Sequence, residues 1–239
     1  MACYVIVHGA WHTGAQFEAT AAPMRAAGHT VHTPTLAGNR AGDRKDIGLE
    51  DAIVSLVGYF EEHAISDCVL VGHSYGGMVI TALADRHPGR VRRLVYWNAF
   101  VPHDGQALND LIPAHYVSMF EPLVEADGGV MMPFAVWREA FINDADVALA
   151  ERAYAQLNPH PWRTFIDPIR LSRPPAALPM PKSYLNCTED IALPHSLPWH
   201  PRLSEKLGLF RLVQCPGSHE LCFTAPTLLA QKLLEAGRD

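Results

Sequence analysis

Continuous apolar runs separated by helical periodicities set the rhythm of this chain. Cys3-Tyr4-Val5-Ile6-Val7 shows no polar alternation, as expected of a parallel strand covered on both faces. Residues 14–27 are alanine-rich and close at Gly28, a helix-ending residue. Residues 29–33 read as a second short strand, stopped by Pro34. Ile53, Leu56, Val57 and Phe60 recur at helical spacing, which predicts an amphipathic helix over 50–63. Cys68-Val69-Leu70-Val71 predicts a third strand, followed by a glycine-flanked turn and a helical stretch over 77–84. Residues 94–97, 183–187 and 209–215 supply three more strands. Residues 226–236 form a last helix, with Pro226 in its first turn and Gly237 at its end. Strands that alternate with helices predict an α/β fold, a mostly parallel sheet with helices on both faces.

Residues 102–181 break this rhythm. They are rich in proline and carry Tyr116, Phe120, Phe134, Trp137, Phe141, Tyr154, Trp162 and Phe165. Residues 134–157 look helical. We read 102–181 as a helical cap inserted into one domain, whose core is 1–101 plus 182–239. Such a cap covers the carboxyl ends of the strands, where open α/β sheets bind ligands. Most of its aromatics are expected to pack the cap onto the body, with two or three reaching a substrate.

Composition narrows the function. The chain has 239 residues, 49% of them hydrophobic, enough for one sizeable core. Its net charge of -6 is scattered and no Lys/Arg run exists, so nucleic acid is not an expected partner. No apolar stretch approaches the ~20 residues of a membrane helix. The first strand begins almost at Met1, leaving no room for a signal peptide. Five cysteines, an odd number mostly in or beside strands, fit buried free thiols in a reducing cytoplasm better than a disulfide framework.

The chemistry centres on Gly72-His73-Ser74-Tyr75-Gly76. Between a strand and a helix, Gly-x-Ser-x-Gly reads as a nucleophile elbow that holds the serine oxygen above the sheet, at a helix N-terminus. The other reading is a glycine-rich turn without chemistry. A serine nucleophile needs a base and an orienter, which follow it in chain order as acid, then histidine. His219 lies in Cys215-Pro216-Gly217-Ser218-His219, directly after the last strand, and is the candidate base. His73 is expected to be structural, and His103, His195 and His200 lie in loops without the strand context. Asp190, directly after the fifth strand, is the candidate acid, with Glu189 and Asp104 as rivals. The oxyanion donors are expected to be the backbone N–H groups of Tyr75 and of Ala10, in the loop after the first strand.

Together, Val7-His8-Gly9-Ala10-Trp11-His12, the elbow with Gly77, Cys187-Thr188-Glu189-Asp190 with Pro194, and Gly217-Ser218-His219 resemble the plant methyl esterase and hydroxynitrile lyase branch of the α/β-hydrolases. The resemblance covers nearly the whole chain outside the cap. It implies a catalytic triad of Ser74, His219 and Asp190, and a sheet without the leading hairpin of larger hydrolases. The segments 96–102 and 217–222 are similar to bacterial esterases that hydrolyse carbendazim, a benzimidazole methyl carbamate. The lyases carry lysine directly after the catalytic histidine, where its charge helps hold cyanide. Glu220 stands there in this chain and would repel cyanide.

These readings predict a serine hydrolase acting on a small apolar or aromatic ester or methyl carbamate, with no metal or cofactor. Trp11, Trp97, Phe100 and Trp137 are the candidate pocket walls, with core packing as the alternative for each. A small-molecule substrate is the expected partner; a homodimer is left open. Three other functions stay open on the same scaffold: a cofactor-free dioxygenase that uses the His–Asp pair as base, a small-molecule receptor and, disfavoured by Glu220, a hydroxynitrile lyase.

Overall fold

The computed structural model describes residues 1–239. Six strands form one parallel sheet: β1 (Cys3–Val7), β2 (Thr30–His32), β3 (Cys68–His73), β4 (Val91–Trp97), β7 (Lys182–Cys187) and β8 (Arg211–Cys215). Their spatial order is β2-β1-β3-β4-β7-β8. The sequence reversal lies between β1 and β3, at the edge where Ser74 emerges. Two two-residue strands in the cap, β5 (Gly129–Val130) and β6 (His160–Pro161), pair antiparallel.

Strand periodicity divides the core into two layers. Val5 and Val7 of β1, Leu70 of β3, Leu94 and Tyr96 of β4 and Tyr184 of β7 point to one face. There they meet α2 (Leu49–Glu62), α3 (Gly76–Arg86) and the cap. Tyr4, Ile6, Val69, Val71, Val95 and Trp97 point to the other face, against α1 (Glu18–Ala26) and the C-terminal helix Pro226–Ala236. Residues 76–85 of α3 are all buried, because sheet and cap enclose it.

Local chemistry sets the element ends. The alanine-rich run opens as a 3-10 turn, Gly14–Phe17, because Thr13 and Gln16 cap each other's backbone, and α1 follows. β4 begins at Val91, earlier than the apolar run suggests, because Arg92 and Arg93 interrupt its hydrophobic pattern. The helix expected over 134–157 is broken. A short turn Phe134–Val136 widens into a π-helical stretch, Trp137–Phe141, and a separate helix, Val147–Tyr154, starts under an Asp146 cap.

Candidate active site

Ser74 stands where β3 turns into α3. Its φ is +52°, in the left-handed region that a side chain disfavours. Close packing enforces the turn. A Cβ on Gly76 would lie 2.7 Å from the Val7 carbonyl oxygen, and one on Gly77 would lie 2.2 Å from that of Phe100. Backbones therefore approach where side chains cannot, and the serine is raised at the N-terminus of a buried helix.

His219 follows β8 with its side chain 1% exposed, and its Nδ1 lies 2.6 Å from Oδ2 of the fully buried Asp190 carboxylate. Asp190 is itself fixed. Its Oδ1 accepts the Ala192 N–H at 2.8 Å, and its Oδ2 also accepts from the Asn98 side-chain amide. Burial pulls the imidazole's pKa down, but the Asp190 charge and hydrogen bond, with help from Glu220, outweigh it and raise His219 above its ordinary 6.5. With Nδ1–H committed to Asp190, Nε2 is the basic nitrogen, and it has no hydrogen-bond partner. Ser74 and His219 line one small recess with Gly9, Ala10, His12 and Glu220, without a hydrogen bond between Oγ and Nε2. Catalytic contacts of this kind commonly tighten only when substrate binds.

The rival residues have other work. His73 is buried, stacks on Trp97 with ring centroids 4.0 Å apart, and donates from Nε2 to the His219 carbonyl at 3.0 Å. Burial holds it far below the usual imidazole range, so it is a neutral strut under His219. The Glu189 carboxylate accepts the Gly217 N–H, tying the two loops together, and Asp104 accepts the Leu171 N–H. His103 and His195 are exposed, and His200 pairs with Ser204.

The amides of Ala10 and Tyr75 donate to no acceptor in the protein, although both residues are buried. Both line the cavity together with Ser74. The loop of Ala10 is braced by imidazoles that the sequence reading passed over. His8 Nδ1 donates to the Gly9 carbonyl at 2.8 Å and its Nε2 accepts the Leu36 N–H, while His12 Nδ1 donates to the Ala10 carbonyl at 2.7 Å.

The cavity above Ser74 is lined by 14 residues, 13 of them hydrophobic. Ser74 is the single exception, and no charged side chain reaches it. Trp11 and Phe100 form walls, as expected. Trp97 does not: strand alternation turns it to the opposite face, where its Nε1 donates to Cys187 Sγ. Trp137 also lies outside, because its indole is drawn into the cap to donate to the Ala150 carbonyl and pack on His12 and Phe223. The missing walls are Tyr116, Phe120, Phe141 and Phe165 from the cap, and Leu193 and Trp199 after β7. Four cap aromatics thus face the cavity, more than the two or three anticipated.

His12, Glu220 and Cys222 bring potential ligand atoms within 4.8 Å of one another. Burial and the neighbouring Glu220 push the Cys222 thiol far up, so its Sγ–H donates to the carboxylate rather than offering a thiolate to a metal.

The family model described as "Alpha/beta hydrolase family" matches residues 4–232. The chain belongs to that family. This α/β-hydrolase is 33% identical to a carbendazim hydrolyzing esterase of Nocardioides sp. (strain SG-4G), over 99% of this chain and 100% of that protein. It is 26% identical to a pyrethroid hydrolase of Sphingobium wenxiniae, over 97% of this chain and 86% of that one. A solved extracellular α/β-hydrolase from a Paenibacillus species superposes with a TM-score of 0.95 at 36% identity, covering 100% of both chains. That structure is described as sharing structural and functional homology with tobacco salicylic acid binding protein 2. No helix of this α/β-hydrolase is long and apolar enough to cross a membrane.

Proposed function

We propose that this hydrolase is a serine esterase that cleaves a small, uncharged, apolar or aromatic ester or methyl carbamate through an acyl-enzyme. One observation carries the reading. A buried Asp190–His219 pair, its Nε2 free, shares a small recess with Ser74, the single non-hydrophobic residue lining the cavity. His219 Nε2 takes the Ser74 proton as Oγ attacks the carbonyl carbon, and the N–H groups of Ala10 and Tyr75 receive the oxyanion. The protonated imidazole then gives its proton to the departing alcohol or amine. Water, activated by the same nitrogen, releases the acid and restores the serine.

The uncharged walls favour a neutral substrate, because a charged group entering them would lose its hydration without gaining a partner. The name of the Nocardioides relative supports including a methyl carbamate, and the aromatic walls suit a flat ring. The free cysteines support a reducing compartment for this chain.

Fluorophosphonate labelling followed by peptide mapping tests the mechanism. We expect one adduct, on Ser74, and a fall in ester turnover of about 10⁴-fold or more in Ser74→Ala. Oxygen uptake with a heteroaromatic substrate that survives Ser74→Ala would point to a dioxygenase instead. Ligand binding without turnover would point to a receptor. If aryl esters are cleaved and methyl carbamates are not, the carbamate part of the proposal fails.

A further inference from the structure

Directly after the base, the chain buries a second carboxylate that the triad does not use. The Glu220 side chain is 1% exposed, and its Oε2 lies 3.0 Å from His12 Nε2, whose side chain is 2% exposed. The contact is at ion-pair distance but off the line of a good hydrogen bond. The carboxylate's other side-chain partner is the Cys222 thiol. A buried carboxylate with so few partners is costly unless the pairing does something. What it does is visible at the other end of the imidazole, where His12 Nδ1 grips the carbonyl of Ala10. The chain Glu220–His12–Ala10 therefore links the loop that carries the base to the loop that offers an oxyanion amide. Trp11, next to Ala10, sits at φ +65°, so this loop is strained and needs such a hold. Neither Glu220 nor His12 lines the apolar cavity, although both border the small recess shared by Ser74 and His219.

Building on the serine-esterase reading, we propose that Glu220 and His12 form a second acid–imidazole pair, a positioning pair that sets the oxyanion loop for the transition state without touching bound ester.

The test compares wild type, Glu220→Ala, His12→Ala, the double variant and Glu220→Gln, using p-nitrophenyl esters and rates normalised to sites titrated by fluorophosphonate. Normalisation removes any loss of folded protein. We expect kcat to fall about 10–100-fold in each alanine variant, with KM within about threefold, because a misplaced donor weakens transition-state binding. The double variant should be no slower than the slower single one, since both remove the same hold. An aryl trifluoromethyl ketone, which forms an oxyanion on the serine, should lose affinity in step with kcat, whereas the matching methyl ketone should not. Glu220→Gln should recover most of the loss, because its amide can donate to His12 Nε2.

The same variant has a signature in pH. Asp190, Glu220 and His73 lie against His219, His12 lies beyond them against Glu220 and His73, and Asp144 accepts the Ser218 N–H. Glu220 is one of the charges that raise His219, so Glu220→Gln should move the acid limb of kcat/KM to lower pH. Unchanged ketone selectivity in Glu220→Ala, or losses that multiply in the double variant, would overturn the proposal alone. A wild type that takes no label would overturn the serine reading, and this proposal with it.

Discussion

Asn98 does more at this site than its residue type announces. It sits at φ +35°, a conformation asparagine tolerates better than most residues. Its Oδ1 accepts the Cys187 N–H at 2.7 Å, while its Nδ2 donates to Asp190. One side chain thereby pins the end of β7 and orients the acid. Asn98→Ala should lower kcat/KM by about tenfold and lower stability by roughly 1–3 kcal/mol, because it strands the buried Cys187 amide. Steady-state kinetics and thermal melts check the two effects separately, and full activity would remove Asn98 from the site. At this scale the elbow, His219 and Asp190 were readable because each directly follows a strand, and strand ends converge on one edge of a parallel sheet. Asn98 also follows a strand, but nothing about an asparagine declares that it serves an aspartate 92 positions further along.

Between elements, the body supplies Ser74, Asp190 and His219, and the cap supplies six of the fourteen residues that line the cavity. The cap is not the long helix its spacing suggests. Its turns break at residues 137–146, which lets Trp137 pack inward while Phe141 leans on Trp11 and His219. Trp199 comes from outside the cap and lies parallel to His219, with centroids 5.1 Å apart and planes 16° apart. It both lines the cavity and covers His219. Trp199→Ala should raise KM for aryl esters about tenfold and leave His219 wetter, with a smaller loss for short acetyl esters that never reach this wall. Equal losses for both substrates would argue against a wall role. Aromatic content announced an apolar pocket, but periodicity could not say which rings face it. Trp97 shows why: one residue along a strand changes the face, and only pairing with β3 and β7 fixes which face carries the cap.

The whole molecule should be sensitive to acid. His8, His73 and His160 are fully buried, and burial lowers all three, His8 to about 3. A histidine with a lowered folded pKa withholds a proton that the unfolded chain accepts below about pH 6.5, so stability drops as pH falls, by up to about 1.4 kcal/mol per unit for each group. For His8 this drop continues to about pH 3. His219 works the other way, because its pKa is raised in the fold and its contribution is lost as pH rises. Three against one, the melting temperature should decrease from pH 7 to pH 5, which calorimetry measures directly; a flat or rising profile would contradict the buried neutral state. The sequence by itself determined the α/β architecture, the order of strands along the chain, and the placing of Ser74, Asp190 and His219 after strand ends, because local periodicity and turn chemistry need no distant partner. Only the tertiary structure decided which aromatics line the cavity, that Asn98 steadies Asp190, and that Glu220 meets His12. Those pairings join segments far apart in the chain, and their distances exist only once the sheet has brought its strand ends together.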